Sequence, residues 1–454
     1  METLAPGSEV RSPIDPRNHH AARSGRAEAV TRSFLFAHWE GGGNTPPMLA
    51  VVRRLLARGH QVRVMSDPCN RNEVEAVGAT FSPWTRAPHR VDKSATSDPI
   101  RDWEVKSPPA LIGRLREHLF IGPSLAYAHD LLDELSRFPA DVVVTSEMLL
   151  GAMAGAEAAG VPCVALSANV YLFPLPGVPP FGPGLQPATH MFGRLRDWLI
   201  RTMTLREFGK GTATFNDTRR ALGLGPLAHP FDQLGRLASH LVLTSAAFDL
   251  TSTNPPRQLV YAGPELDDPA WAEPWQSPFE ASDRRPLILV GFSTTFQNQV
   301  DVLGRVIAAL GELDVRAVVT AGPAIDIASL PRAANVHVCA SAPHSELLKE
   351  AAAAVTHAGH GTVIRALAAG VPVVCMPMGR DQNENAARVE FRRTGVRIGP
   401  TASASKIRQA VREVLASPVY RDSARRLGEE IAKDARDSRA VHVLESVATR
   451  LTPA

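Results

Sequence analysis

The sequence predicts an α/β protein with two doubly wound, Rossmann-like domains that face each other across a cleft. Two long stretches alternate short apolar runs, typical of strands buried in a parallel sheet, with helical patterns. This periodicity breaks down in residues 255–285, which are rich in proline and tryptophan, as is typical of a connector between domains. The 454 residues, 44% of them hydrophobic, are enough for two cores of ordinary size.

Four segments follow from this pattern. Residues 1–31 hold no apolar core of signal-peptide length, and we expect a disordered tail there. Residues 32–254 are assigned to the first domain and residues 255–285 to the linker. Residues 286–454 are assigned to the second domain, which ends in polar helices. A ligand is expected in the cleft, because open parallel sheets bind ligands at the carboxyl ends of their strands.

Charge and composition exclude several classes of partner. The chain has 49 basic and 46 acidic residues and no polybasic block, so it lacks the signature of nucleic-acid binding or of docking on an anionic membrane. No uncharged apolar run reaches the roughly 18 residues of a membrane span, which predicts no stable membrane insertion. The four cysteines are far apart and mostly in apolar surroundings, as expected of reduced thiols. We expect a cytoplasmic protein, monomeric or homodimeric, with a small-molecule partner.

The first domain begins with a βαβ unit. The runs "SFLFAHW" and "QVRVMSD" predict strands on either side of a helix that ends near Gly59. The runs "DVVVTSE" and "PCVALS" predict two more strands with a helix between them. Two irregular insertions interrupt the domain, at roughly residues 82–111 and 168–186. The second is apolar and rich in proline and glycine, and it is either a mobile surface loop or a loop that binds a hydrophobic partner.

The second domain repeats the pattern, with "PLILVGFS", "RAVVTAG", "NVHVCAS", "AAAVTH" and "VPVVCMP" as strands. The fourth of these leads into the turn "HAGHGT", after which a helix is expected to start near Thr362. Backbone N–H groups and the helix dipole converge on such a turn, and its glycines let a phosphate approach closely. The rings of His357 and His360 and the hydroxyl of Thr362 add donors. The alternative is an ordinary tight turn with satisfied histidines.

A second pair of polar residues lies at the same predicted sheet edge. Asp381 and Gln382 follow the next strand, just ahead of a helix. A neighbouring carboxylate and carboxamide offer the acceptors and donors that vicinal sugar hydroxyls need. The alternative is an aspartate that only caps the helix. The glycine-rich turn beside this pair favours a binding site.

The segment "SAPHSELL…VTHAGHGTVIRALAAGVPVVCMPMGRDQNENAARV" resembles the donor-binding signature of the family 1 nucleotide-sugar-dependent glycosyltransferases, of the bacterial natural-product type. The resemblance covers most of the second half of the chain and extends more loosely to the first. It implies the two-domain GT-B architecture, an inverting transfer and no metal. It implies no cofactor either, because the nucleotide-diphospho-sugar is a co-substrate.

The same resemblance implies roles for individual residues. They agree with the local chemistry, because a transfer without a metal must stabilise the charge on a departing nucleoside diphosphate, and fixed donors at a helix N-terminus do so. The implied donor-binding residues are His357, Gly359, His360, Gly361 and Thr362 on the diphosphate, Asp381 and Gln382 on the sugar, Ala342 and His344 at the base, and Ser293, Thr294 and Thr295, from "GFSTT", on phosphate or sugar.

One catalytic position departs from the family pattern. Members of the family usually carry Gly-His-x-x-Pro after the first strand, and that histidine removes the acceptor proton. Here Asn44 stands in that place, three residues before Pro47, and an amide cannot act as a base. We expect Glu147, at the end of "DVVVTSE", to be the base and Asn44 to hold the acceptor, since burial in an apolar cleft would raise the carboxyl pKa. His38, Glu40 and an acceptor acidic enough to need little help are alternatives.

The sequence therefore predicts an inverting, metal-independent glycosyltransferase that moves a hexose or deoxyhexose from a UDP- or dTDP-sugar to a hydrophobic small-molecule acceptor. A nucleotide-sugar epimerase is an alternative, although it would not need the apolar insertions. A dinucleotide-dependent oxidoreductase is disfavoured because neither glycine-rich turn has the G-x-G-x-x-G spacing. A non-catalytic partner protein that keeps the fold is the third alternative, because of Asn44.

Overall fold

The computed structural model describes residues 30–105, 107–268, 275–292, 299–322, 325–437 and 439–450. Most of the predicted N-terminal tail, residues 1–29, lies outside these ranges. The chain divides after residue 31, and the fold below is that of residues 32–454. The predicted fold class is confirmed, because the chain forms two parallel sheets with helices on their faces. Among the described residues, no helix combines the length and the apolarity needed to cross a bilayer.

The first sheet has seven strands in the order β3-β2-β1-β4-β5-β6-β7. Its central strands are apolar on both sides because helices cover both faces. In β1, Phe34 and Phe36 enter one core while Leu35 and Ala37 enter the other. The strands are β1 Ser33–Ala37, β2 Gln61–Ser66, β3 Thr80–Pro83, β4 Val142–Ser146, β5 Cys163–Ser167, β6 Ser239–Val242 and β7 Leu259–Tyr261, and the helices are α1 Thr45–Ala57, α2 Arg71–Ala76, α3 Pro108–Leu115, α4 Ser124–Arg137, α5 Leu150–Ala158, α6 Met191–Gly209 and α7 Thr212–Ala221.

The second sheet has six strands in the order β10-β9-β8-β11-β12-β13. The same alternation operates here, with Ile288 and Val290 of β8 in one core and Leu287 and Leu289 in the other. The strands are β8 Leu287–Gly291, β9 Arg316–Thr320, β10 Val336–Cys339, β11 Ala351–Thr356, β12 Val373–Cys375 and β13 Gly395–Arg397, and the helices are α8 Val300–Gly311, α9 His344–Leu347, α10 His360–Ala368, α11 Gln382–Phe391, α12 Ala404–Ala416, α13 Pro418–Arg436 and α14 Arg439–Thr449.

Two elements depart from the predicted organisation. Leu259–Tyr261 lies in the predicted linker, yet it forms the edge strand β7 beside β6. The last helix, α14, was grouped with the second domain, but its apolar residues, including Val441 and Leu444, enter a core of the first sheet together with residues of α1 and β1. The chain thus returns to the first sheet after completing the second. The apolar side of α14 is buried there against an apolar face of the sheet, which removes both surfaces from water.

The strand order decides which loops meet. β1 lies between β2 and β4, so the segments that follow β1 and β4 leave the sheet side by side. β11 lies between β8 and β12, so the segments that follow these three strands also share one edge. In both sheets the order reverses at the first strand of the domain, and such switch points are where open α/β sheets bind ligands.

Candidate active site

The turn after β11 leaves the start of α10 open. Ala358 has a φ of 70°, Gly359 is extended, and α10 begins at His360, earlier than the sequence predicted. The carbonyl of Gly359 accepts the first intrahelical hydrogen bond. The N–H groups of His360, Gly361 and Thr362 therefore have no acceptor within the helix, and the described part of the chain offers them none. Three such donors at the positive end of a helix dipole form a site for an anion.

His357 closes one side of this turn. Its buried ring folds over Gly359 so closely that a Cβ on the glycine would lie 2.4 Å from Nε2. Burial lowers the pKa of His357 to about 4, and the Arg380 guanidinium contributes to the decrease. A hydrogen bond to the backbone of Gly291 opposes this shift, as expected when a ring N–H donates to a carbonyl. The ring is therefore neutral near pH 7, and its Nδ1 also lies 3.3 Å from Thr356 Oγ1.

The predicted base-binding segment lies against the end of β8. A Cβ on Gly291 would be 2.9 Å from His344 Cε1 and 3.3 Å from Thr362 Cγ2. His344 Nε2 lies 3.0 Å from Thr320 Oγ1, and Ala342 is buried just before it. The structure thus brings His344 and Thr362 together beside the turn after β11.

His360 contributes its backbone to the turn but directs its ring elsewhere. Its Nε2 lies 2.9 Å from Thr244 Oγ1, in the segment after β6, and burial lowers the pKa of the ring to about 4. Of the two predicted ring donors, only His357 lies over the turn. Three further predicted donors, Ser293, Thr294 and Thr295, lie outside the described residues.

Asp381 and Gln382 lie in the turn between β12 and α11, and their contacts differ. The Asp381 carboxylate accepts from Asn385 Nδ2 at 2.8 Å, and burial raises its pKa. The same amide donates to Ala358 O at 2.9 Å, which ties this turn to the one after β11. The side-chain oxygen of Gln382 accepts from two backbone N–H groups of its own turn, at 2.7 and 3.1 Å. Sequence reasoning missed Asn385, although it follows Asp381 by one helical turn.

Arg380 joins this turn to the first half of the chain. It has a φ of 55°, and its guanidinium binds both carboxylate oxygens of Asp102, at 2.8 and 3.2 Å. It also donates to Gly41 O at 3.2 Å. Asp102 belongs to the first predicted insertion, which therefore reaches the cleft. Local sequence patterns do not indicate this contact, because Arg380 and Asp102 are 278 positions apart.

The turn after β1 is closed by its own side chains. Glu40 accepts from the backbone N–H two residues later at 2.6 Å and from the Thr45 hydroxyl at 3.1 Å. Asn44 Oδ1 accepts from Gly41 N at 3.0 Å, and its Nδ2 donates to Trp39 O at 3.0 Å. Both polar atoms of the Asn44 amide thus hold the turn itself, and its predicted contact with the acceptor stays a prediction.

His38 is buried beneath the same turn. Its Nε2 lies 3.1 Å from Thr45 Oγ1, whose hydroxyl donates to Glu40. Burial lowers the pKa of His38 to about 3 and raises that of Glu40. Both alternative bases are therefore engaged in the support of the turn.

Glu147 follows β4, beside the turn after β1. Its Oε2 accepts from Ser146 Oγ at 3.2 Å, and this hydroxyl accepts from the Trp39 indole N–H at 3.1 Å. Burial raises the pKa of Glu147 to about 7, and the Asp381 carboxylate adds to the rise. A carboxyl group from the first sheet thus lies within electrostatic reach of one from the second.

The second insertion is held against α11. The Glu384 carboxylate accepts from the backbone N–H groups of Gly182 and Gly184, both at 2.8 Å. Gly184 has a φ of 64°, and a Cβ there would lie 2.3 Å from the Asn383 carbonyl oxygen. A side chain at this position would therefore separate the insertion from the helix.

A buried ion cluster supports this contact. Arg388 donates to Asp249 at 2.7 Å and to Glu384 at 3.1 Å, and all three side chains are almost inaccessible to solvent. At the start of the insertion, Asn169 hydrogen-bonds to Asp381. The insertion is therefore fixed in two places to the segment that carries Asp381.

Two sequence comparisons bear on this site. Residues 304–447 match the family described as Erythromycin biosynthesis protein CIII-like, C-terminal domain. Over 416 residues, the chain is 32% identical to 4'-demethylrebeccamycin synthase of Lentzea aerocolonigenes, in a match that covers 89% of this chain and 96% of that protein.

Two solved structures resemble the whole fold. The crystal structure of CalG4, the calicheamicin glycosyltransferase, has a TM-score of 0.74 at 22% identity and covers 93% of this chain and 100% of that one. The glycosyltransferase VinC, solved in complex with dTDP, has a TM-score of 0.63 at 19% identity and covers 92% of this chain and 100% of that one. At these identities the likeness establishes a shared fold.

Proposed function

This chain belongs to the natural-product glycosyltransferases with the GT-B fold, and from that premise we propose the donor, the mechanism and the acceptor class of its reaction. It is an inverting, metal-independent enzyme that transfers a hexose or deoxyhexose from a dTDP- or UDP-sugar to a hydrophobic small molecule. The observation that carries the proposal is the open start of α10, with His357 on one side and the Asp381 turn on the other.

The diphosphate of the donor binds at the start of α10. Negative charge develops on the diphosphate as its bond to the sugar breaks. The N–H groups of His360, Gly361 and Thr362 stabilise that charge at no reorganisation cost, because the helix already fixes them. The dTDP complex of VinC, which shares the fold, supports a nucleoside diphosphate here.

His357 responds to the charge of the diphosphate. Its pKa of about 4 leaves the ring neutral, and one ring nitrogen is engaged by the backbone of Gly291, with Nδ1 also 3.3 Å from Thr356 Oγ1. A phosphate oxygen beside the second ring nitrogen favours protonation, since an opposite charge raises the pKa of a histidine. The ring therefore takes up a proton when the donor binds and then donates from both nitrogens.

Asp381 holds the hydroxyl groups of the sugar. Its carboxylate accepts hydrogen bonds from Asn385 and Asn169, which orient it. A carboxylate has about four lone-pair sites, so Asp381 can still accept hydrogen bonds from sugar hydroxyls. Gln382 uses its side-chain oxygen within the turn, so its contribution is to shape the loop that presents Asp381.

Glu147 is the general base. The acceptor O–H or N–H gives its proton to the Glu147 carboxylate while its lone pair attacks the anomeric carbon. The bond from that carbon to the diphosphate breaks, the nucleoside diphosphate leaves with the bonding electrons, and attack from the opposite face inverts the anomeric centre. A pKa of about 7 suits this task at neutral pH, whereas His38, with a pKa of about 3, is a weak base.

The acceptor is apolar and lies between the turn after β1 and the second insertion. Trp39, Tyr171 and Leu172 line the edge of the first core there and are only partly buried. Aromatic and aliphatic surface of this kind suits a hydrophobic ligand. A relative named as the synthase of 4'-demethylrebeccamycin supports a natural product.

Product analysis tests the reaction. The purified protein is incubated with a panel of dTDP- and UDP-sugars and hydrophobic aromatic acceptors, and products are identified by mass spectrometry and by the anomeric coupling in NMR spectra. We expect one added sugar with inverted configuration and release of the nucleoside diphosphate. Isomerisation of the donor without an acceptor would instead identify an epimerase, and donor binding without any product would identify a non-catalytic protein.

The base is tested with Glu147→Gln. We expect kcat to fall by roughly 10²- to 10⁴-fold with a modest change in KM. In the parent enzyme kcat/KM for the acceptor should rise with pH through about 7, because the Glu147 carboxyl group must lose its proton to act, and the variant should lack this rise. Ser146→Ala removes the hydroxyl that donates to Glu147 and accepts from the Trp39 indole but keeps the Glu147 carboxyl group, so it is the matched control with a small effect. Full activity of Glu147→Gln would eliminate this assignment.

A further inference from the structure

Helix α6 turns an apolar face to solvent. Six large apolar side chains on this face are between 47% and 74% exposed, while its other side, with Gly193, Asp197 and Phe208, is buried. This is the reverse of an ordinary surface helix, whose apolar side packs inward. The six exposed residues are Met191, Phe192, Leu195, Trp198, Leu199 and Met203.

The spacing on this face is symmetric about Leu199. Phe192 and Leu195 precede it by seven and four residues, and Met203 and Arg206 follow it by four and seven. These offsets align the five side chains on one side of a helix with 3.6 residues per turn. When a second α6 runs antiparallel with its own Leu199 at the centre, Leu195 faces Met203 and Phe192 faces Arg206.

The charges fit this pairing. The Arg206 guanidinium of one copy would lie over the Phe192 ring of the other, which is a favourable cation–π contact. The two Arg206 side chains would be about 20 Å apart by the helical rise, too far to repel each other strongly. All residues of α6 are described, and its two carboxylates, Asp197 and Glu207, are each paired with a neighbouring cation.

The exposed area is sufficient for a specific contact. A large apolar side chain has an area of roughly 150 Å² or more, so six that are half exposed offer roughly 500 Å² per copy. That is at the upper end of apolar patches on monomers, and a pair would bury about 1,000 Å², the lower limit of specific interfaces. α3 packs beside α6 and begins with the exposed Pro108 and Pro109.

We propose that this face is a dimer interface, in which two copies of the chain pack α6 against α6 antiparallel about a twofold axis at Leu199. Arg201 of α6 donates to Val178 O in the second insertion at 3.4 Å. The paired helices therefore also brace the insertion that contacts the acceptor.

The mass of the full chain in solution tests the pairing, by sedimentation velocity over a range of micromolar concentrations. The parent chain is expected to dimerise. Phe192→Glu should keep the dimer, because its carboxylate faces Arg206, whereas Phe192→Arg should raise the dimer Kd by about 100-fold or more through like-charge contact. Leu199→Arg should also raise the dimer Kd by about 100-fold or more, since it brings two cations together at the twofold axis. Val419→Arg, at an exposed position of α13, is the control that should change nothing.

Each outcome decides the proposal. Because the substituted side chains are exposed, circular dichroism spectra should match those of the parent chain. A monomeric parent chain, or equal effects of Phe192→Glu and Phe192→Arg, would overturn the antiparallel pairing. A monomer that co-sediments with phosphatidylglycerol vesicles and loses this binding in Leu199→Arg would assign the face to a lipid surface instead.

Discussion

Two turns of this enzyme look alike in sequence and differ in electrostatics. Each follows a central strand with a histidine, contains glycines and leads into a helix: "HWEGGGN" after β1 and "HAGHG" after β11. In the first turn, Glu40 and Asn44 accept hydrogen bonds from backbone N–H groups of the turn itself. In the second turn, all of whose residues are described, there is no carboxylate, and the N–H groups at the start of α10 stay open.

The difference indicates that a glycine-rich turn before a helix suits an anion less when it carries its own carboxyl group, as Glu40 does, and when Pro46 and Pro47 leave the start of the helix with fewer N–H groups. The first turn contains its own carboxyl group, which accepts from the backbone of the turn and from the Thr45 hydroxyl. The Trp39 indole of this turn donates to Ser146, which in turn contacts Glu147. The second turn is open and suits a charged ligand. One turn thus supports the proposed base, and the other supports the proposed leaving group.

The largest expected effect comes from replacing the histidine of each turn, His357 or His38, by alanine in separate variants. His357→Ala should lower kcat by about 10²-fold or more, because it removes a donor to the departing diphosphate. His38→Ala should mainly lower the midpoint of thermal unfolding, since His38 only supports Thr45. Steady-state kinetics and thermal denaturation of both variants give the comparison. An inactive His38→Ala beside a fully active His357→Ala would reverse the roles of the two turns.

Adding a methyl group to a glycine of each turn should also have different effects in the two turns. Gly359→Ala places a Cβ 2.4 Å from His357 Nε2, so the ring must move, and we expect a loss of up to roughly 10²-fold in kcat/KM for the donor. Gly43→Ala meets nothing within 4 Å and should change kcat/KM little. Equal effects of the two substitutions would contradict the difference between the turns.

The affinity for the donor should depend on pH because His357, in the second turn, titrates when the donor binds. His357 has a pKa of about 4 in the free enzyme, and a bound diphosphate raises it. Protons are therefore taken up on binding, and affinity should increase by up to roughly tenfold per unit as pH falls between the two pKa values. Calorimetry with dTDP-glucose in buffers of different ionisation enthalpy measures the uptake. His357→Gln should abolish it, and uptake that persists in this variant would assign the proton to another group.

A smaller effect is expected in the first turn. Asn44→Ala leaves Gly41 N and Trp39 O without partners, which should cost about 1 kcal/mol of unfolding free energy, since the site is only half-buried. Asn44→Asp keeps the acceptor for Gly41 N and loses only the donor, so it should fall between Ala and the parent in urea denaturation. A large loss of kcat with unchanged stability would return Asn44 to a role on the acceptor.

The smallest expected effect is that of a chelator. The open helix start is proposed to stabilise the diphosphate in place of a divalent cation, so EDTA should leave the initial rate of transfer unchanged. Loss of activity that Mg²⁺ or Mn²⁺ restores would show that the second turn needs a metal after all.

Much of the fold could be predicted because its signals are local. Strand runs such as "DVVVTSE" and "AAAVTH" are bounded by turn residues, and their order indicated two parallel sheets. The edge strand β7 was missed, since three residues in a proline-rich segment carry no periodicity. The apolar face of α6 was also missed, because its spacing is the same whether the face is buried or exposed.

The sequence by itself determined the positions of the open turn, of Asp381 and of Glu147, because a strand end and a helix start are decided by neighbouring residues. Only the tertiary structure decided what these groups touch. Arg380 binds Asp102 from 278 positions away, and Glu384 binds the backbone of Gly182 from 202 positions away. Such contacts depend on how the two sheets and the insertions pack, and packing is set by the summed burial of many side chains, which local periodicity does not encode.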